Sequence, residues 1–178
     1  MHPVLRVLFA VLLLALPASA AAQWDEPRLD HRGQPSLVVG PVLEHLIVGR
    51  AGEETETGTG VAAEVAWGVP LTDEGGEGLV GLRAGAALDG DHARLAPFAL
   101  YRGYYGDEDW KTFFDVGVFV RIEPVWGGGA RLGFGVQHDP AEHLGIFAGI
   151  GGGLAFGDGL QANVDFLAGV QLRFGSAG

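Results

Sequence analysis

The chain has 178 residues, of which 48% are hydrophobic, 19% charged and 31 glycine, with no cysteine and a formal charge of −11. The glycine follows no three-residue period and the apolar fraction is too high for disorder, so collagen-like and unstructured classes are excluded. Zero cysteine removes disulfide scaffolds, thiolate nucleophiles and Cys-ligated metals, and the acidic balance argues against nucleic acid, which needs clustered Lys and Arg.

Chain order begins with an address. Residues 1–6 hold one basic side chain, Arg6, and residues 7–16 are a continuous apolar run broken by Pro17. Small residues follow from Ala18 to Ala22, so residues 1–22 are expected to be a cleaved secretory signal. The apolar run is too short to span a bilayer, which takes about 20 residues. Loss of Arg6 leaves ten basic residues against 22 acidic ones. Residues 23–35 are polar and aperiodic and read as an N-terminal tail.

From residue 36 the chain alternates strands and turns. Eight segments rich in β-branched, aromatic and small residues are expected at 36–48, 60–71, 79–89, 93–105, 111–125, 126–138, 144–157 and 160–174. The breaks carry turn chemistry, as at Asp89-Gly90-Asp91, Asp139-Pro140 and Gly157-Asp158-Gly159. Only the fifth break is faint, marked by Glu123-Pro124 and the glycines at 127–129. No stretch holds a helical period for three turns.

Most segments alternate with period two. In the second, Val61, Ala63, Val65, Trp67 and Val69 oppose Gly60, Ala62, Glu64, Ala66 and Gly68. In the fifth, Phe114, Val116, Val118, Val120 and Ile122 oppose Phe113, Asp115, Gly117, Phe119, Arg121 and Glu123. The first and fourth segments are ambiguous. Elsewhere the apolar face carries no charge, and the other face is mainly Gly and Ala with isolated charges. A water-facing strand face is usually dense in Lys, Thr, Glu and Ser. Small residues with scattered ions suit a narrow lumen instead. The charges on that face balance: Glu64, Asp115, Glu123 and Asp165 against Arg83, Arg121, Arg131 and Arg173. Balance is what a desolvated interior requires, because an unpaired buried charge costs several kcal/mol.

These features predict an all-β fold, an eight-stranded antiparallel up-and-down transmembrane β-barrel over residues 36–175, with its apolar face on lipid. An eleven-residue strand rises about 36 Å and, tilted by about 45°, projects to about 25 Å, the height of such an apolar band. The competing architecture is a soluble periplasmic barrel with an apolar ligand cavity, in which every side chain would face the other way.

The last segment, Gly169-Val170-Gln171-Leu172-Arg173-Phe174, resembles the C-terminal assembly signal of Gram-negative outer-membrane β-barrel proteins, with Gly169, Leu172 and Phe174 at its marked positions. It departs from the pattern at Leu167, where a polar residue is common, and in having residues 175–178 after the aromatic. In architecture the chain is similar to the small eight-stranded class that includes the membrane domain of OmpA and OmpX. That resemblance implies periplasmic termini, a periplasmic tail, an outer-membrane location, and as partners the outer-membrane lipid and the barrel insertion machinery.

For function, the expectation is a structural or envelope-integrity barrel whose ionic groups fill the lumen; a narrow porin-like channel is the alternative. Some barrels that this chain resembles modify lipopolysaccharide with a Ser nucleophile and His assistance. The only serines here are Ser19, Ser36 and Ser176, none placed for an outer-rim site, so no enzyme is expected. Glu53, Glu54 and Glu56 read as a solvated charge run, His92 as a solvated turn residue. The segment from His138 to His143 holds metal-ligand residue types, but its proline turn makes a metal centre unexpected. No cofactor is implied.

Overall fold

The computed structural model describes residues 34–71, 76–90, 92–106 and 109–175. The expected leader and residues 23–33 of the tail lie outside them. Eight strands follow in chain order: β1 (Ser36–Gly49), β2 (Glu56–Pro70), β3 (Glu77–Ala87), β4 (Ala93–Gly106), β5 (Trp110–Arg121), β6 (Gly127–Ala141), β7 (Leu144–Gly157) and β8 (Gly159–Arg173). Each pairs antiparallel with its chain neighbours, and β1 pairs with β8, so the sheet closes into a barrel. Closure gives every strand two hydrogen-bonded neighbours and leaves no edge, the condition for a sheet in hydrocarbon.

The apolar face points outward. Val65, Trp67, Val80, Val118, Leu132 and Phe166 are exposed, whereas Glu64, Arg83, Asp115, Arg131 and Asp165 are buried inside. This is the reverse of a soluble ligand carrier and overturns that alternative. A sheet with a charged interior and an apolar outside is stable only where the outside meets lipid.

Aromatic rings gather at both ends. At the end that carries the chain termini, Trp67 stacks on Phe174 with ring centroids 5.7 Å apart, Tyr105 on Phe114 at 5.7 Å, and Trp110 on His138 at 4.5 Å. The opposite rim exposes Trp126 and Phe156. Such rings belong at bilayer interfaces, where an apolar body and a polar edge are both solvated. A double-mutant cycle over Trp67→Ala and Phe174→Ala is expected to give a coupling of about 0.5–1.5 kcal/mol in urea unfolding from lipid vesicles. Additive losses would mean that the stack contributes nothing beyond burial.

Three strand ends differ from expectation by three residues or more, and the first is the start of β2 at Glu56, four residues before 60. Residues 122–125 do not continue β5, which stops at Arg121. Pro97 in β4 has no N–H to donate, and pairing jumps from Phe98↔Phe119 to an isolated bridge Leu95↔Glu123, one residue out of register. A one-residue slip exchanges the faces, so Glu123 is exposed rather than lumenal. The Asp139-Pro140 turn is also misplaced: β6 runs on to Ala141 through a register shift after His138, and Asp139 belongs to the strand.

Candidate functional site: the charged lumen

The inward positions build three tiers along the barrel axis. The first lies in the half away from the termini and joins seven strands. Glu64 on β2 accepts from Arg83 Nη2 of the adjoining β3 at 2.7 Å and from Arg131 Nη1 of β6 at 3.1 Å. Asp165 on β8 accepts from the same two arginines, Arg83 Nη1 at 3.0 Å and Arg131 Nη2 at 3.4 Å. Glu44 on β1 accepts from Arg121 Nη2 of β5 at 2.8 Å and from Arg94 Nη1 of β4 at 3.0 Å. In an eight-strand ring β2 lies opposite β6 and β1 opposite β5, so Glu64–Arg131 and Glu44–Arg121 cross the full lumen.

The middle tier is one closed pair in an apolar layer. Arg102 Nε and Nη2 donate to Asp115 Oδ1 and Oδ2 at 2.7 and 2.8 Å, a bidentate fork. The guanidinium carbon sits 4.1 Å from the ring centroid of Phe113 and 5.2 Å from that of Phe147. Val38, Leu79 and Leu167 belong to the same buried cluster.

The third tier closes the end that carries the termini. Gln171 Nε2 donates to Glu77 Oε2 at 2.8 Å and to Ser36 Oγ at 3.1 Å, and Tyr104 Oη donates to Gln171 Oε1 at 3.2 Å. Asp139 pairs with Lys111 and, at 3.0 Å, with Arg173 Nη2. This layer joins β1, β3, β4, β5, β6 and β8 through side chains alone.

A cavity of about 20 Å³ lies in the first tier, lined by Glu44, Arg83, Phe98, Phe119, Arg131 and Asn163 among others. It has room for roughly one water molecule. Arg131 Nε and Asn163 Oδ1, one donor and one acceptor, are both buried there without a protein partner, the complement a single water needs. The arrangement neutralises ions and fills space.

No protein-family model and no curated protein matches the sequence. Solved structures do. Neisserial surface protein A is 11% identical with a TM-score of 0.55, over 78% of this chain and 97% of that one. Ail, the attachment invasion locus protein of Yersinia pestis, is 13% identical with a TM-score of 0.54, over 80% of this chain and 99% of that one. The fold is that of the small outer-membrane β-barrels.

Within this barrel, seven of the eight lumenal residues expected from sequence face inward and are buried: Glu64, Arg83, Asp115, Arg121, Arg131, Asp165 and Arg173. They fall in different tiers, so Arg173 and Asp115 do not join Glu64 and Asp165. Glu123 stands outside the lumen. The alternation missed Glu44, Glu77, Arg94, Arg102, Lys111 and Asp139. Glu44, Arg94 and Arg102 were hidden because β1 and β4 also carry Val38, Val42, Phe98 and Leu100 on the inner face. A signal for one of them was present: counted outward from the Gly106↔Lys111 pair, the hairpin register sets Arg102 opposite Asp115. Gly169 faces the lumen, while Leu172 and Phe174 face outward and are exposed.

Outside the lumen, the described residues at the strand ends and connections hold no second centre. Arg50, just beyond β1, donates to Glu56 Oε1 at 2.7 Å and lies 3.5 Å from Glu53, so part of the acidic run is paired. That hydrogen bond, reinforced by the charge of Glu56, raises the Arg50 guanidinium above its ordinary range. His92, just before β4, is exposed. In the His138–His143 stretch, Asp139 turns inward to Lys111 and Arg173, and His138 Nδ1 contacts the Asp109 carbonyl at 2.9 Å. Among the described residues no group of His, Asp and Glu is placed to hold a metal ion. Ser36 is fully buried in the third tier, and Ser19 and Ser176 lie outside the described residues.

Proposed function

We propose that this protein is a structural outer-membrane barrel whose lumen is a plug and not a path. The observation that carries the reading is the pair of ion bridges spanning the lumen, Glu44–Arg121 and Glu64–Arg131. A conducting pore needs a continuous file of water, and here guanidinium groups stand across it with their charges already met. The third tier adds a second block near the termini. The termini face the periplasm, and β8, with Gly169, Leu172 and Phe174, is the segment read by the barrel insertion machinery. The reading assigns no catalytic role to any residue: Ser36 Oγ is engaged with Gln171 and lies at the end away from the outer rim.

Planar-bilayer recording tests this. The refolded protein is expected to give no reproducible open level, and a Glu64→Ala/Arg131→Ala variant, which removes one bridge, is expected to stay silent as well, because Glu44–Arg121 and the third tier still stand across the lumen. A stable open level in the unaltered protein establishes the channel reading.

A further inference from the structure

We infer that the β1–β8 seam is the line along which this barrel opens, and that Arg83 and Arg121 latch it from inside. The inference rests on the barrel reading alone, and the conductance result leaves it untouched.

The backbone of the seam is broken at mid-height. β1 and β8 are paired from Ser36↔Arg173 to Val39↔Val170 and again from Val42↔Leu167 to Gly49↔Leu160, with no pair between. The cause is Pro41, which has no N–H to give the Ala168 carbonyl opposite. On its other side β1 pairs with β2 without interruption, from Ser36↔Gly68 to Val48↔Glu56. Glycine lines the lumenal side of the gap. A Cβ on Gly40 would collide with the Ala168 oxygen, and one on Gly169 with the Val39 oxygen. In lipid no water replaces the lost bond.

Just beyond the gap the side chains make the seam weaker still. Glu44 and Asp165 are directly opposite each other on β1 and β8, both facing the lumen and both buried. Like charges in that position repel. Arg83 resolves the conflict: its Nη1 is 3.0 Å from Asp165 Oδ2 and 3.7 Å from Glu44 Oε1, while its Nη2 is anchored on Glu64 of β2. Arg121 ties the same two strands a step further on, with Nη2 on Glu44 at 2.8 Å and Nη1 on Gln161 Oε1 at 2.9 Å. Beyond its backbone pairs and the Gln171–Ser36 bond at the end that carries the termini, the seam is held by guanidiniums that belong to neither of its strands. Loss of Arg83 leaves a proline gap and two facing carboxylates that Arg131 on one side and Arg94 and Arg121 on the other still partner but no longer bridge to each other. The strand released is β8, which carries Gly169, Leu172 and Phe174, and the other ladders stay intact.

Amide hydrogen exchange on the lipid-embedded protein tests the inference strand by strand. In Arg83→Gln, amides of β1 and β8 along the seam are expected to exchange about tenfold faster, the order expected for losing a charged hydrogen bond, while β5–β6 amides hold. Arg102→Gln, which breaks an equally buried pair away from the seam, is expected to speed β4–β5 exchange and spare the seam. Pro41→Val faces lipid, restores the missing N–H, and is expected to slow seam exchange both alone and on the Arg83→Gln background, which also covers an Arg83 variant that folds poorly by itself. Uniform acceleration of all ladders by Arg83→Gln, or seam exchange indifferent to Pro41→Val, overturns the latch.

Discussion

Replacing Asp115 by Leu will destabilise the barrel by about 3–5 kcal/mol, whereas the double variant Arg102→Met/Asp115→Leu will recover most of that loss. Asp115 accepts both bonds of a bidentate fork, and its removal leaves the Arg102 guanidinium buried between Phe113 and Phe147 with its main counter-charge gone. The double variant removes both ions and keeps the volume, in a layer already lined by Val38, Leu79 and Leu167. Urea unfolding from lipid vesicles, run on the two single variants and the double, measures the coupling. A double variant no more stable than Asp115→Leu would show that the layer depends on the pair's shape and not on charge compensation. The tier is suited to this test because its two ions hydrogen-bond to each other, while Glu77, opposite Arg102 on β3, accepts from Gln171.

The second large effect is on the outside. Leu132→Arg will cost about 2–4 kcal/mol, and Trp126→Arg roughly 0–1 kcal/mol, in the same assay. Both residues are exposed on the outer face, Leu132 at 65% and Trp126 at 55%, so exposure to water would predict similar, small penalties. They differ in height: Leu132 lies within β6, whereas Trp126 precedes it at the rim. Lipid separates the two because the cost of a guanidinium falls from the hydrocarbon centre toward the interface. Equal penalties would place Leu132 outside the membrane.

The strands and their facing were legible in the sequence wherever one face was purely apolar. Val61 to Val69 and Phe114 to Val120 could be assigned because a charge on the lipid side is nearly forbidden, so a face without charge identifies itself. β1 and β4 resisted because a lumen tolerates apolar side chains that lipid-facing positions also use. Val38 and Val42 inside β1 look like Val39 and Leu43 outside it. Phe98 and Leu100 mask Arg94 and Arg102 in the same way. Glu123 went astray for a different reason: alternation assumes an unbroken ladder, and Pro97 shifts the register by one residue just before it.

The sequence by itself determined eight alternating strands with one face free of charge and balanced ions on the other; only the closed barrel, which buries the ions and exposes the apolar side, decided which face lies outside. Nor did the sequence determine which ion meets which. Glu44 and Arg121 stand 77 residues apart and Arg83 and Asp165 82 apart, and each pair meets only after the sheet has curled and staggered its strands. Those partnerships depend on barrel radius and stagger, properties of the closed ring that no single strand carries.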